Sequence, residues 1–263
     1  MSFLERVDVL ILTLNEATNI GRTLMPLREF RKVVVLDSGS TDETRQIARA
    51  FSNVEVHQRA FDTHASQWSY GLEECGLGAE WVLALDADYV LTPALLDELR
   101  SLEPAPGTAG YWASFRYCIE GRPLAGSLYP PVMILYRREV ATYRQDGHAQ
   151  RVVVSGPAMW LRGLVLHDDR KSFSTWLAAQ DRYARLECEH LLSTPLSRLS
   201  WRDRLRRMMF VTPWLVPVYC LIVRGGLFDG KPGLAYAVQR GIAESILAVY
   251  LLQAHLAGRK PVP

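Results

Sequence analysis

An apolar run ends in two carboxylates two residues apart: WVLALDADYVLTP, residues 81–93, carries Asp86 and Asp88. In an extended chain residues i and i+2 point to the same side. A strand from Trp81 to Leu85 therefore aims both carboxylates at one point. Adjacent anions repel unless a cation lies between them, and oxygen pairs suit Mg²⁺ or Mn²⁺. A metal held there is placed to neutralise a phosphate leaving group. The plainer alternative is a helix cap beside a solvated loop carboxylate.

Two more segments share this design. In VVVLDSGSTDETRQIARAF, residues 33–51, a β-branched run ends in Asp37, followed by Ser38, Gly39, Ser40, Thr41 and Asp42. Thr44, Ile47, Ala48 and Phe51 then recur at helical spacing. VDVLILTLNEATNIGRTL, residues 7–24, is apolar through Leu12 and turns polar at Thr13, Asn15 and Glu16. Three apolar strands with polar ends describe an open parallel sheet, which binds ligands beyond the carboxyl ends of its strands. A dinucleotide fold would need GxGxxG directly after the first strand, and residues 12–21 offer only Gly21.

TLNEATNI, VVVLDSGSTDET, FDTHASQWSYGL and WVLALDADYVL, in this order and spacing, resemble the family 2 glycosyltransferases with their GT-A fold. The likeness covers residues 5–100 closely. It continues weakly through DGHAQRV (146–152) and LRGLVLHDDRKSFSTWLAAQDRYA (161–184), which are similar to the branch that extends lipopolysaccharide cores and related envelope glycans. The resemblance implies an α/β chain: a mainly parallel sheet flanked by helices. It implies a nucleotide-sugar donor, UDP-linked, and a glycan or lipid-linked acceptor.

Residue by residue, the resemblance makes Asp88 the direct metal ligand and Asp86 a group that holds the ribose or the metal's waters. Asp37 would bond uracil or ribose, with Thr13, Asn15 and Glu16 beside it. Ser38, Gly39 and Ser40 would let the backbone approach the nucleotide, and Gln67 in FDTHASQWSYGL would face it. Asp37 can equally cap its own loop, with Ser40 or Asp42 as N-cap of the next helix. His167, after the strand-like run LVLHDD, is expected to complete the metal shell, since imidazole accepts Mn²⁺. A lone histidine is otherwise a satisfied structural residue.

Two departures stand out. Tyr89 replaces an acid that many relatives carry. Ala149 and Gln150 stand where relatives with a His-Glu pair supply a carboxylate base. An inverting transfer needs a base for the acceptor hydroxyl, which leaves Asp146 as first candidate and His148 as second. A phosphate-oxygen acceptor needs no base, so a polyprenyl-phosphate glycosyltransferase is the rival enzyme. A non-catalytic sugar-nucleotide binding protein is the rival outside enzymes.

The 263 residues suit one or two domains, and 49% are hydrophobic. A net charge of +2 argues against a nucleic-acid binder. Four scattered cysteines without CxxC suggest free thiols in a reducing compartment. No signal-peptide pattern opens the chain, so the catalytic part is expected at the cytoplasmic side. We expect residues 1–103 to hold the nucleotide-sugar half, with a helix over 93–101 capped by Thr92. EPAPGTAG, residues 103–110, reads as a loop. Residues 104–196 are the expected acceptor half, with antiparallel strands joining the sheet. They should end in a helix over 172–192 whose face is Phe173, Trp176, Leu177, Tyr183 and Leu186.

Residues 197–263 form the third part. SRLSWRDRLRR, residues 197–207, holds five arginines and one acid; residues 208–223 hold no charge. That run is short for a membrane span and interrupted by Pro213 and Pro217. The segment 234–257 is apolar apart from Arg240 and Glu244. The pair reads as a peripheral or monotopic hairpin on an anionic membrane surface, with a buried soluble hairpin as the alternative.

Overall fold

The computed structural model describes residues 2–146 and 149–259, with side chains outside 144–151. They divide into two compact units. One comprises residues 2–118 and 129–170, the other residues 119–128 and 171–259.

The first unit is α/β. Strands β1 (Val7–Thr13), β2 (Lys32–Asp37), β3 (Val54–Gln58) and β4 (Trp81–Asp86) form its parallel half. Helices α1 (Ile20–Leu24), α2 (Thr44–Arg49) and α3 (His64–Glu74) connect them. After β5 (Tyr89–Leu91) and α4 (Pro93–Arg100) come β6 (Gly110–Ile119), β8 (Val132–Arg137) and β11 (Ala158–His167). The sheet order is β3-β2-β1-β4-β8-β6-β11-β5. β8 runs antiparallel to both β4 and β6, β11 parallel to β6, and β5 antiparallel to β11. The antiparallel addition expected from residues 104–196 is therefore made by β8, whereas the other antiparallel strand, β5, lies before that range. β9 (Ala141–Asp146) and β10 (Ala149–Val154), which contains RVVV, form a separate two-stranded sheet.

Both faces of β1, β2 and β4 are buried, as apolar strands without alternation require. Val9, Ile11, Val35, Leu83 and Leu85 pack with Ile20, Leu24, Leu95 and Leu99 on one side. Leu10, Val34, Leu36 and Ala84 pack with Trp68 and Leu72 of α3 on the other. Thr92 caps α4 as expected, its hydroxyl accepting from Leu95 N.

The register of β11 shifts between Trp160 and Leu164. There the backbone N–H groups of Arg162 and Gly163 donate to the Glu98 carboxylate at 2.8–3.0 Å. A Cβ on Gly163 would lie 2.4 Å from Leu95 Cα, so only glycine lets α4 close on this strand. The irregularity sets the register that carries β11 to its end at His167.

The second unit contains the two-residue β7 (Arg122–Pro123), α5 (Phe173–Ser193), α6 (Trp201–Arg207), α7 (Thr212–Val218) and α8 (Gly230–Leu256). A π-helical turn, Tyr219–Val223, continues α7. α5 falls where expected but buries a different face. Ala184, Cys188 and Leu191 are inside, whereas Phe173, Leu177, Tyr183 and Leu186 are exposed. The partners of that core are Leu199 and the Leu247, Leu251 and Ala254 stripe of α8. On the α5 side this core combines the small Ala184 and Cys188 with Leu191. No described helix is long and apolar enough to cross a membrane.

Candidate active site

Strand ends carry the site. Asp86 closes β4 and Asp88 follows in the turn to β5. His167 closes β11, and the Asp168 N–H donates to the Asp88 carbonyl at 3.0 Å, tying the two ends together. His167 Nε2 lies 3.0 Å from Asp88 Oδ2. Burial opposes charge on the imidazole, but the carboxylates of Asp88, Asp86 and Asp169 outweigh it and raise the His167 pKa. His167 Nδ1 is buried without a hydrogen-bond partner.

The Tyr89 departure acquires a setting here. Tyr129, Tyr117 and Tyr89 surround the imidazole edge-on, with ring centroids at 4.6, 4.9 and 5.4 Å. The Tyr89 and Tyr129 hydroxyls are 2.5 Å apart. Burial, with the negative charge of Asp86 nearby, pushes the Tyr89 phenol well above its usual range, so it stays protonated. The aromatic walls fix the ring of His167. Tyr129 gave no signal in the sequence; only the return of the chain into β8 brings it here.

Asn19 was also not singled out, though it lies in TLNEATNI. It is fully buried and uses its whole hydrogen-bonding capacity. Its amide nitrogen donates to Glu16 Oε2 at 2.8 Å and to Asp169 Oδ1 at 2.9 Å. Its oxygen accepts from Arg22 Nη2 at 2.7 Å and from Arg170 N at 3.0 Å. Glu16 and the segment after His167 are thus joined through one side chain. Arg22 and Arg170 also pair with the buried Asp168.

The expected nucleotide-binding residues gather at the ends of β1 and β2. Asp37 is fully buried. Its carboxylate accepts from Gly39 N at 3.1 Å, from Ser40 N at 2.9 Å and from the Ser40 hydroxyl. Asp37 therefore holds its own loop, but the N-cap of α2 is Glu43 rather than Ser40 or Asp42. Gly39 has φ +101°, a conformation that favours glycine. Asn15, at φ 54°, accepts from Thr41 N and donates its own N–H to the Ser40 hydroxyl. Thr13 accepts Ser38 N through its carbonyl, while its buried hydroxyl has no hydrogen-bond partner. Gln67 is fully buried; it donates to the Ser38 hydroxyl at 2.9 Å and accepts from Arg59 at 2.6 Å. Its side chain braces the loop after β2. The Asp146 side chain and all of His148 lie outside the described residues, although the Asp146 backbone closes β9.

Among the described residues no group of three or more His, Cys, Asp or Glu side chains surrounds one point. What the fold brings together is a carboxylate–imidazole pair. Two neighbouring ligands of an octahedral ion at about 2.1 Å lie about 3 Å apart, and the 3.0 Å between Asp88 Oδ2 and His167 Nε2 matches that spacing. The donor types suit Mn²⁺, and Mg²⁺ through the oxygen.

Carboxylates and a histidine gathered at the strand ends of one sheet define an α/β protein with its site beyond those ends. The chain belongs to glycosyl transferase family 2, whose model matches residues 8–165. It is similar to the lipopolysaccharide core biosynthesis glycosyltransferase LpsC of Rhizobium meliloti, with 24% identity over 97% of this chain and 95% of that one. An uncharacterized glycosyltransferase of Rickettsia conorii is 32% identical over 37% of this chain and 34% of its own length. Among solved structures, glucosyl-3-phosphoglycerate synthase from Mycobacterium tuberculosis, in complex with Mn²⁺, UDP and phosphoglyceric acid, aligns with a TM-score of 0.44 at 17% identity. The alignment covers 68% of this chain and 76% of that one. S. aureus TarS in complex with UDP-GlcNAc aligns with a TM-score of 0.42 at 14% identity, over 96% and 92%.

Proposed function

We propose that this chain is a metal-dependent inverting glycosyltransferase. It moves a sugar from a nucleotide-diphosphate donor, UDP-linked, to a lipid-linked or envelope glycan at the cytoplasmic face of the membrane. The observation that carries this reading is the Asp88–His167 pair at 3.0 Å, formed by residues 79 apart, one in the turn after β4 and one at the end of β11. The similarity to a lipopolysaccharide core enzyme of Rhizobium meliloti supports the class of acceptor.

Asp88 and His167 would hold the divalent ion. A bound ion would supply charge neutralisation to a departing diphosphate. The chain's own residues do the rest. Asp37 shapes the Ser38–Ser40 loop, which Gln67 braces from behind, so that backbone meets the nucleotide. Asp86 bonds the ribose or the metal's waters. Asn19 holds Glu16 in fixed relation to the segment after His167. Asp146 takes the proton of the acceptor hydroxyl, with His148 as the alternative base. With Ala149 and Gln150 where relatives carry the carboxylate, a polyprenyl-phosphate acceptor is the second reading, because its oxygen needs no base. The functional division at residues 103 and 196 belongs to the same proposal.

The test is Asp88→Asn beside His167→Ala. Mn²⁺ binding in the presence of UDP, followed by paramagnetic resonance, should weaken in both. UDP release from nucleotide sugars should fall at least about 100-fold in Asp88→Asn, while circular dichroism stays unchanged. Near wild-type Mn²⁺ affinity in both variants would overturn the metal assignment.

A further inference from the structure

In the sequence Arg240 and Glu244 interrupt the apolar character of residues 234–257, and five arginines precede the uncharged run. The structure redistributes these charges. Glu244 is 3% exposed and accepts from Arg206 at 3.2 Å and Arg240 at 3.3 Å. Arg206 also reaches Glu187 at 3.1 Å. Arg206 and Arg240 are therefore paired with a buried carboxylate and only partly exposed, and between Lys231 and the end of α8 the charged side chains are Arg240 and Glu244 alone. Asp181, which lines the groove beside α8, is bound to Arg185 and Tyr250.

What this leaves outside is apolar. Trp214, Val218 and Ile222 follow at i, i+4 and i+8 along α7 and its π-helical turn, and are 79%, 50% and 66% exposed. Leu234, Val238 and Val249 form the matching stripe on α8 and are each more than half exposed. Trp214, Val238 and Val249 line one shallow groove, so both stripes face the same way. Gly241 lets the helices close: a Cβ there would already press on Pro217 at 3.0 Å. The stripe from Leu234 to Val249 is about 22 Å long at 1.5 Å per residue. Immediately before α7 in sequence, Trp201 is 70% exposed with the Arg202 guanidinium 5.4 Å from its ring centroid. Arg198, Arg202 and Arg204 make no ion pair among the described residues.

We propose that this two-helix face is a docking surface for an anionic bilayer, with α7 and α8 lying in the membrane plane rather than crossing it. An amphipathic face embeds about 5–10 Å into the headgroup and acyl boundary. The exposed tryptophan and arginines of residues 198–204, which precede α7 in sequence, match the headgroup level and the anionic charge. A second copy of the chain fits less well. Pairing this face with itself would set Arg198 and Arg202 against a surface whose acids, Asp181 and Glu244, already have cations.

The full chain is mixed with phosphatidylcholine vesicles and with vesicles containing roughly one third phosphatidylglycerol, and sedimented. It should bind the anionic vesicles and lose binding in high salt. Arg198→Gln with Arg202→Gln should weaken partitioning roughly thirtyfold, at about fivefold for each arginine near an anionic leaflet. Trp214→Ser with Ile222→Ser should abolish it, with unchanged circular dichroism because both side chains are exposed. Quenching of tryptophan should be stronger from lipids labelled near the headgroup than near the chain end. Equal binding to neutral vesicles overturns the anionic specificity, and deepest quenching at the chain ends overturns in-plane docking. A dimer in sedimentation velocity that Trp214→Ser dissociates, without vesicle binding by the wild type, assigns the face to a second copy instead.

Discussion

Asn19 offers the sharpest test of how the site is assembled. Asn19→Leu keeps the volume of a fully buried side chain and removes four hydrogen bonds at once. Two of them end on carboxylates and one begins on a guanidinium, a class that contributes about 1.5–3 kcal/mol each. Glu16, Asp169 and Arg22 are half-exposed and recover part of this from water. At about 1 kcal/mol per bond the loss is about 4 kcal/mol, a large share of the roughly 5–15 kcal/mol that holds a domain together. Urea unfolding followed by circular dichroism measures it as a lower midpoint with an unchanged slope. Asn19→Asp sharpens the test. An oxygen would replace the nitrogen that now faces the Glu16 and Asp169 carboxylates, so the variant should be weaker at about pH 8 than at about pH 5, where protonation relieves the repulsion. A loss below about 1 kcal/mol in Asn19→Leu, or no pH difference in Asn19→Asp, would refute the bridging role.

Asp37→Ala should lower stability by about 2–4 kcal/mol, because three loop donors lose their acceptor, and weaken UDP by about 1–3 kcal/mol; urea unfolding and calorimetry separate the two, and unchanged UDP affinity would leave Asp37 as a loop cap alone. Glu244→Ala should cost about 3–5 kcal/mol by stripping a buried carboxylate from two arginines, and Glu244→Leu combined with Arg240→Leu should recover part of it in thermal unfolding. The Cys118 thiol is pushed up to about 12 by burial and by nearby Asp168. At about pH 8 its thiolate should therefore be roughly two thousandfold scarcer than that of an ordinary thiol near 8.5. Alkylation followed by mass spectrometry should be correspondingly slow in the folded protein. Ionisation of this thiol on unfolding means that its contribution to stability is present below the unfolded pKa and is lost as pH rises from about 8.5 toward 12.

The first hundred residues were legible because their signals are local. An unbroken apolar strand, a polar end and a helical period each occupy a few neighbouring residues, so β1, β2, β4, α2 and α4 stand where the pattern places them. The Asp86 and Asp88 strand end, the loop after Asp37 and the helix carrying Gln67 were visible for the same reason. The partners were not. Asp88 meets His167 only because β8 and β6 intervene and a register shift held by Glu98 and Gly163 sets where β11 ends. Asn19 reaches Asp169 across 150 residues, and no period encodes that distance. The face of α5 was misjudged because its size pattern names large residues, whereas the core shared with α8 takes Ala184 and Cys188 with Leu191. The five arginines of residues 197–207 are equivalent as letters. Tertiary packing alone pairs Arg206 with a buried glutamate and leaves Arg198 and Arg202 outside, since a charge can be buried only where another element supplies its counter-ion.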